Sequence, residues 1–504
     1  MRKSLFHSGM RAFMLLLGTT SLLTACKDDA TEVAINKTDL PILALTDNNQ
    51  LLQLRTTALG NATSTVAISG LQTNERILSI DYRPATGQLY GLGSTSRLYV
   101  INTSSGAARA IGSGAFTPAL SGTSASLDFN PTVDRVRVVS NAGQNLRLNP
   151  ETGAVQATDG NLNGATGVAI SAVAYTNSTA GATSTTLYDI DPATDRLYRQ
   201  DPPNDGTLVA VGDLGVNATQ AGFDISADGG KAFATLTVDS RSGLYEVDLT
   251  TGRATRYDNF ASNANVVDIA IPTLPVAYGV DLDNNFVIFN PTSTQTPVTK
   301  AFTGLQSGER IVGLDMRPAN GQLYALGSTN RLYTINASSG AAAAVSATPL
   351  VLTGSNFGFD FNPTVDRIRI VSETGVNLRV NPADGTATVD VVLNPGTPAV
   401  TAAAYTNNFA GASSTVLYDI DSTTDQLYRQ DPPNNGTLVS VGSLGANVTA
   451  ANGFDIGGTS GTAFAALTVG STGYIYTINL TTGAATRTAD LPKPLQAMTL
   501  GLGF

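Results

Sequence analysis

The sequence is written twice, and that duplication limits what it can fold into. Residues 74–112 (NERILSIDYRPATGQLYGLGSTSRLYVINTSSGAARAIG) and 308–346 (GERIVGLDMRPANGQLYALGSTNRLYTINASSGAAAAVS) agree at 26 of 39 positions. Residues 187–215 and 417–445 agree at 23 of 29. The block FNPTVDR at 129–135 returns at 361–367. The offset drifts only from 234 to 230 residues, so two tandem copies of about 230 residues fill nearly the whole chain.

A finer period of about 45 residues runs inside each copy. Each unit holds three or four runs of Val, Ile, Leu, Tyr and Thr that alternate with polar residues. Gly, Asn, Asp, Ser and Pro bound them. This pattern predicts short antiparallel strands joined by tight turns, with no sustained helical period in the body of the chain. Four strands in about 45 residues is the size of a β-propeller blade, and about five such units fit in each copy. The expected fold is all-β, with two tandem five-bladed propeller-like domains at 40–272 and 273–504. One ten-bladed ring is the alternative. Each copy opens on a unit short of an inner strand, and its own last run, 266–271 or 497–502, can supply one and close the ring.

Composition removes most catalytic chemistries. Of 504 residues one is His and one is Cys, and both lie at the start, as His7 and Cys26. A chain processed at Cys26 has no Ser-His-Asp triad, no Cys-His pair, no zinc site built from His or Cys and no internal disulfide. The net charge of −10 has the wrong sign for binding a phosphate backbone, so no nucleic-acid partner is expected. Charged residues are only 13% of the chain, which suits a turn-rich protein outside the cell.

The leader reads as an address. Arg2, Lys3 and Arg11 precede a short apolar run, and Leu23-Thr24-Ala25-Cys26 resembles the lipobox of bacterial lipoproteins. That resemblance implies a signal peptide at 1–25, lipidation of Cys26 and a flexible tether at 26–39. Acyl chains on Cys26 would anchor the protein in a membrane. The following Lys27-Asp28-Asp29 resembles an export signal toward the outer face. The expected location is the cell envelope, on the outer membrane and open to the surface.

Several motifs resemble one family. Asn130 to Arg135 and Asn362 to Arg367 read NPTVDR, each followed by NLRxNP, and LYDID and LYRQDPPN also occur once in each copy. These resemble the bacterial secreted domain of unknown function 4394, here in tandem. The resemblance implies an exported propeller-like domain and no established activity.

Two residue sets stand out as candidate sites. An Asp recurs on the expected inner strands, as Asp81, Asp128, Asp224 and Asp268 in the first copy and Asp315, Asp360 and Asp455 in the second. Ala174 and Ala404 interrupt the series, and Thr499 stands where Asp268 would be. Carboxylates gathered at a channel rim would suit a hard cation such as Ca²⁺. Alternatively, they accept bonds from turn N–H groups or pair with Arg. The second set is Arg137 and Arg147, repeated as Arg369 and Arg379. On paired strands they share one face and need a counter-charge, either an external anion or an internal Asp such as Asp128 or Asp134. Glu75 and Glu309 occupy matching places in the two copies.

The function this suggests is binding of a glycan, a peptide or another envelope protein at propeller loops. A cation-dependent hydrolase or lactonase using Asp and Glu is the alternative, and a structural or adhesive role is a third.

Overall fold

The alternating runs form ten four-stranded antiparallel sheets in a computed structural model that describes residues 37–261, 264–293 and 296–504. Cys26, the leader and most of the tether lie outside the described residues. In four of the first five sheets the strands follow chain order from the inside out, with inner strands Ile77–Tyr82, Ala125–Asn130, Ala172–Tyr175 and Gln220–Ile225. The exception is the first blade. Its inner strand is Val266–Ala270, which pairs with Pro41–Thr46 from the other end of the copy. The second copy repeats the device, Leu495–Leu500 pairing with Ala277–Asp281.

These pairings decide between one ring and two. Val266–Ala270 packs between Gln220–Ile225 and Ile77–Tyr82, so the first five blades close on themselves. Leu495–Leu500 likewise packs between Val448–Ile456 and Ile311–Met316. The chain therefore forms two five-bladed rings, not one of ten. Each copy carries the strand that completes its own first blade, so neither ring borrows from the other.

Blade faces supply the cores. Inner and second strands are nearly continuous in burial, because both faces meet a neighbouring blade. Outermost strands such as Ser64–Ala67 alternate half-buried and exposed residues, as a sheet edge against water does. Between the second and third blades Leu92, Leu98, Leu127 and Val136 are all buried, each contributing about 1.5–3 kcal/mol. An edge-to-face pair, Tyr90 on Phe129 at 5.0 Å, returns in the second ring as Tyr324 on Phe361 at 5.2 Å. The repeated turns have a simple cause. Asn102 Oδ1 accepts the N–H groups of Ser104 and Ser105, and Gly106 follows with φ of 73°.

Residues 37–504 form one unit, and the rings are joined by a polar seam. The Tyr278 hydroxyl donates to Ala85 O at 2.8 Å, and the Gly503 N–H to Thr86 O at 2.7 Å. A side chain at Gly503 would put Cβ 2.0 Å from Gly87 O, so the seam admits only glycine there. Beneath it Arg83, fully buried, bonds Asp134 at 2.8 and 2.5 Å, contacts Glu151, and also donates to Gly321 O of the second ring.

Candidate functional site: the ring axes and the mouth of the first ring

The inner strand of a blade is an edge strand, and its N–H groups facing the next blade are buried without a ladder partner. The recurring Asp residues fill that need. Asp268 accepts the N–H of Ile80 at 2.9 Å, Asp81 that of Phe129 at 2.9 Å, Asp128 that of Tyr175 at 3.1 Å, and Asp224 that of Ile271 at 2.5 Å. Four carboxyls thus link five inner strands in a circle. The missing link falls between the fourth and fifth blades, where Ala174 interrupts the series. Ser79 and Ser126 make parallel links to Leu127 and Val173 at 3.0 and 3.2 Å. Gly222 leaves room for this circle: a Cβ there would lie 2.4 Å from Asp268 Oδ1.

These carboxyls are not at an open rim, as the sequence suggested. All four are 2–4% exposed, on the axis inside the ring. One oxygen each of Asp81, Asp128 and Asp224 lies within 4.8 Å of the others. Burial first, then mutual repulsion, pushes Asp81 and Asp128 well above the ordinary carboxylate range. Burial also raises Asp224 to about 8 and Asp268 to about 7. Four negative charges do not coexist in this space, so the cluster holds protons at neutral pH.

The second ring repeats the circle with one change. Asp315 accepts from Phe361 N–H at 2.7 Å, Asp360 from Tyr405 at 3.0 Å and Asp455 from Leu500 at 2.6 Å. Thr499 replaces the fourth carboxyl and lies 2.8 Å from Asp315 Oδ1 and 2.9 Å from Asp455 Oδ2. A hydroxyl has one proton, so it cannot donate to both. One of the two contacts must therefore use a carboxyl O–H. Burial raises Asp455 to about 6 and holds Asp315 and Asp360 well above the usual range.

The arginines find their counter-charge inside the fold. Arg137 and Arg147 are cross-strand partners on one face, and they share Asp159 at 2.6 and 2.7 Å. Arg137 also bonds Asn145, Asn204 and Tyr175. Arg369 and Arg379 share Asp390 in the same way at 2.7 and 2.8 Å. Neither Asp128 nor Asp134 is the partner, and no donor of buried Arg137 or Arg369 faces an external anion. The DPPN turns contribute here, since Asn204 and Asn434 each bond the buried Arg. Glu75 closes a loop, accepting from Thr95 at 2.6 Å and contacting the Tyr99 hydroxyl.

The copies differ most at the mouth of the axis. In the first ring, residues at or just before the start of all five inner strands surround a pocket of about 560 Å³. Arg76, Gln220, Asn141, Asn265 and Ser171 line it. Among the described residues, the side chains of Arg76 and Gln220 have no hydrogen-bond or ion-pair partner. Ser171 and Ala221 of the first ring correspond to Thr401 and Asn452 of the second, which bond each other between adjacent inner strands at 2.9 Å. Gln496 reaches over to Ile311 O, and Arg310 turns away to Leu282 O at 2.5 Å. Deeper between the inner strands of the second ring, the cavity lined by Gly313, Phe359, Asn452 and Met498 is about 10 Å³, about the size of one water. Sequence reasoning missed these residues because most of them lie at or just outside strand ends, where the alternation of polar and apolar residues carries no signal.

Fold and site together define a tandem pair of five-bladed, propeller-like rings with sealed axes. The chain belongs to the family described as domain of unknown function (DUF4394), whose profile matches twice, over residues 50–270 and 285–501. No curated protein matches. Among solved structures the chain is similar to PorZ, a bacterial surface component of the type-IX secretion system of Porphyromonas gingivalis. Identity is 13%, the TM-score is 0.26, and the match covers 90% of this chain and 60% of that one. It is also similar to a 6-phosphogluconolactonase candidate from Bacteroides fragilis, at 15% identity and a TM-score of 0.28, covering 63% of this chain and 93% of that one.

Proposed function

We propose that this protein is a binding protein of the bacterial envelope, anchored through a lipid on Cys26, that takes a glycan or a peptide at the mouth of its first ring. One observation carries the reading: the inner strands are bridged by side chains at the second mouth, while the first is open and polar, with Arg76 and Gln220 unpartnered among the described residues. A pocket of about 560 Å³ is the size of ordinary ligand sites, and here five separate blades fix its wall. Its amides, hydroxyls, one guanidinium and the carboxylate of Asp47 suit the hydroxyls of a sugar or the amides of a peptide. The axial carboxyls are 0–4% exposed and out of a substrate's reach, which disfavours a hydrolase built on them.

Probing glycan and peptide arrays with the soluble body, residues 37–504, tests the reading. Hits are expected, and Arg76→Ala with Gln220→Ala should weaken them at least tenfold without changing the melting temperature. Arrays with no hit, or hits indifferent to both changes, would overturn it. Cell fractionation checks the anchor: Cys26→Ala is expected to move the protein from the membrane to the soluble fraction.

The axial carboxyls serve the ring, in this account, by sharing protons. Millimolar calcium is therefore expected to leave the melting temperature unchanged. A rise of several degrees would assign the clusters to a divalent cation instead, a geometry that three oxygens within 4.8 Å would also suit.

A further inference from the structure

A second pocket lies at the seam between the rings, away from the mouth. It measures about 520 Å³, and its walls come from the second blade of the first ring, the connection Pro272–Val276, and three segments of the second ring. Phe409, Leu274, Val100 and Leu502 give it an apolar wall. Phe409 and Leu274 are 40% and 43% exposed, which is high for side chains of this kind. The seam bonds of Tyr278 and Gly503 hold the two walls in place, so the pocket is preformed.

Its charge is the telling feature. Among the described residues, Arg109 is the only charged side chain on the wall, and no aspartate or glutamate lines the pocket. The chain as a whole carries −10, and the buried Arg83, Arg137 and Arg369 are all paired. Arg109 makes no hydrogen bond and no ion pair with any described residue, though it is half-buried on the outer strand Ala108–Ile111. A guanidinium in that position has lost part of its water without gaining an acceptor. The Thr273 hydroxyl, also on the wall, is buried and has no partner either.

We infer that the inter-ring pocket binds a carboxylate attached to an apolar body, the carboxylate on Arg109 and the apolar part against Phe409 and Leu274. The planar fork of Arg matches a carboxylate with two bonds, and the desolvated setting strengthens them. Two sources carry this chemistry, a fatty acid and the C-terminus of an apolar peptide. The site is independent of the mouth of the first ring.

Calorimetric titration with decanoate and with N-acetyl-Leu-Phe distinguishes the sources. At least one is expected to bind at one site per chain. Arg109→Gln should weaken it at least tenfold, Arg109→Lys by less, and Phe409→Ala in part, all with an unchanged melting temperature. Decanol, which lacks the charge, should be indifferent to Arg109→Gln. No binding of either probe at millimolar concentration would overturn the inference, as would decanoate binding that survives Arg109→Gln.

Discussion

The melting temperature of the purified protein is expected to peak near about pH 5 and to fall by about ten degrees or more by pH 9. Most proteins lose stability on acidification, so the direction is diagnostic. A carboxyl whose pKa is higher in the folded chain than in the unfolded chain binds a proton that unfolding releases. Its contribution is complete below the unfolded value, near about 3.9, and drains away as pH rises through the folded value. For Asp455, Asp268 and Asp224 those folded values are about 6, 7 and 8. Asp268 alone accounts for on the order of 4 kcal/mol between the two limits. Asp159 and Asp390 act the other way. Burial opposes their charge, but bonds from paired arginines outweigh it and hold them below the usual range, so their support is lost in acid. Asp268→Asn should make the alkaline fall shallower. A flat melting profile from pH 5 to pH 9 would contradict the proton-sharing account.

The second large effect uses one copy as the control for the other. Arg83→Met is expected to cost about 3–5 kcal/mol in urea unfolding, because it leaves Asp134 and Glu151 charged and buried. Their side chains are 3% and 10% exposed. The matching Arg317→Met should cost about 1 kcal/mol or less, since Asp366 is 37% exposed and returns to water when its partner goes. Ala383 stands where Glu151 does, so the second ring has no third charge to strand. Equal losses at the two sites would contradict the view that the seam between the rings, and not the blade itself, makes Arg83 indispensable.

Much of this was legible in the residues. The repeat gave ten units, and the missing first inner strand of each copy pointed to ring closure. The inner-strand aspartates were found because a turn follows each, and the arginines because VRVVS and NLRLN alternate cleanly. What was not legible depends on approach between distant segments. Asp159 lies 22 residues beyond Arg137, across a strand and a turn, in a stretch where the copies match poorly. Glu151 reaches Arg83 only because third and second blades adjoin. The open and closed mouths turn on single-residue differences, Ala221 against Asn452 and Ser171 against Thr401, whose effect depends on the neighbouring inner strand each one meets. Arg109 carries no signal in the sequence, because only the meeting of the two rings places it on a pocket wall.

Those small differences also provide the most direct test of the central claim, that the open first mouth is the binding site. Ser171→Thr with Ala221→Asn transplants the plug of the second ring into the first. Array ligands of the native body should lose binding to this variant while its melting temperature stays within a few degrees of the parent. Undiminished binding to a folded, plugged first ring would contradict the account and move the search for the ligand elsewhere on the molecule.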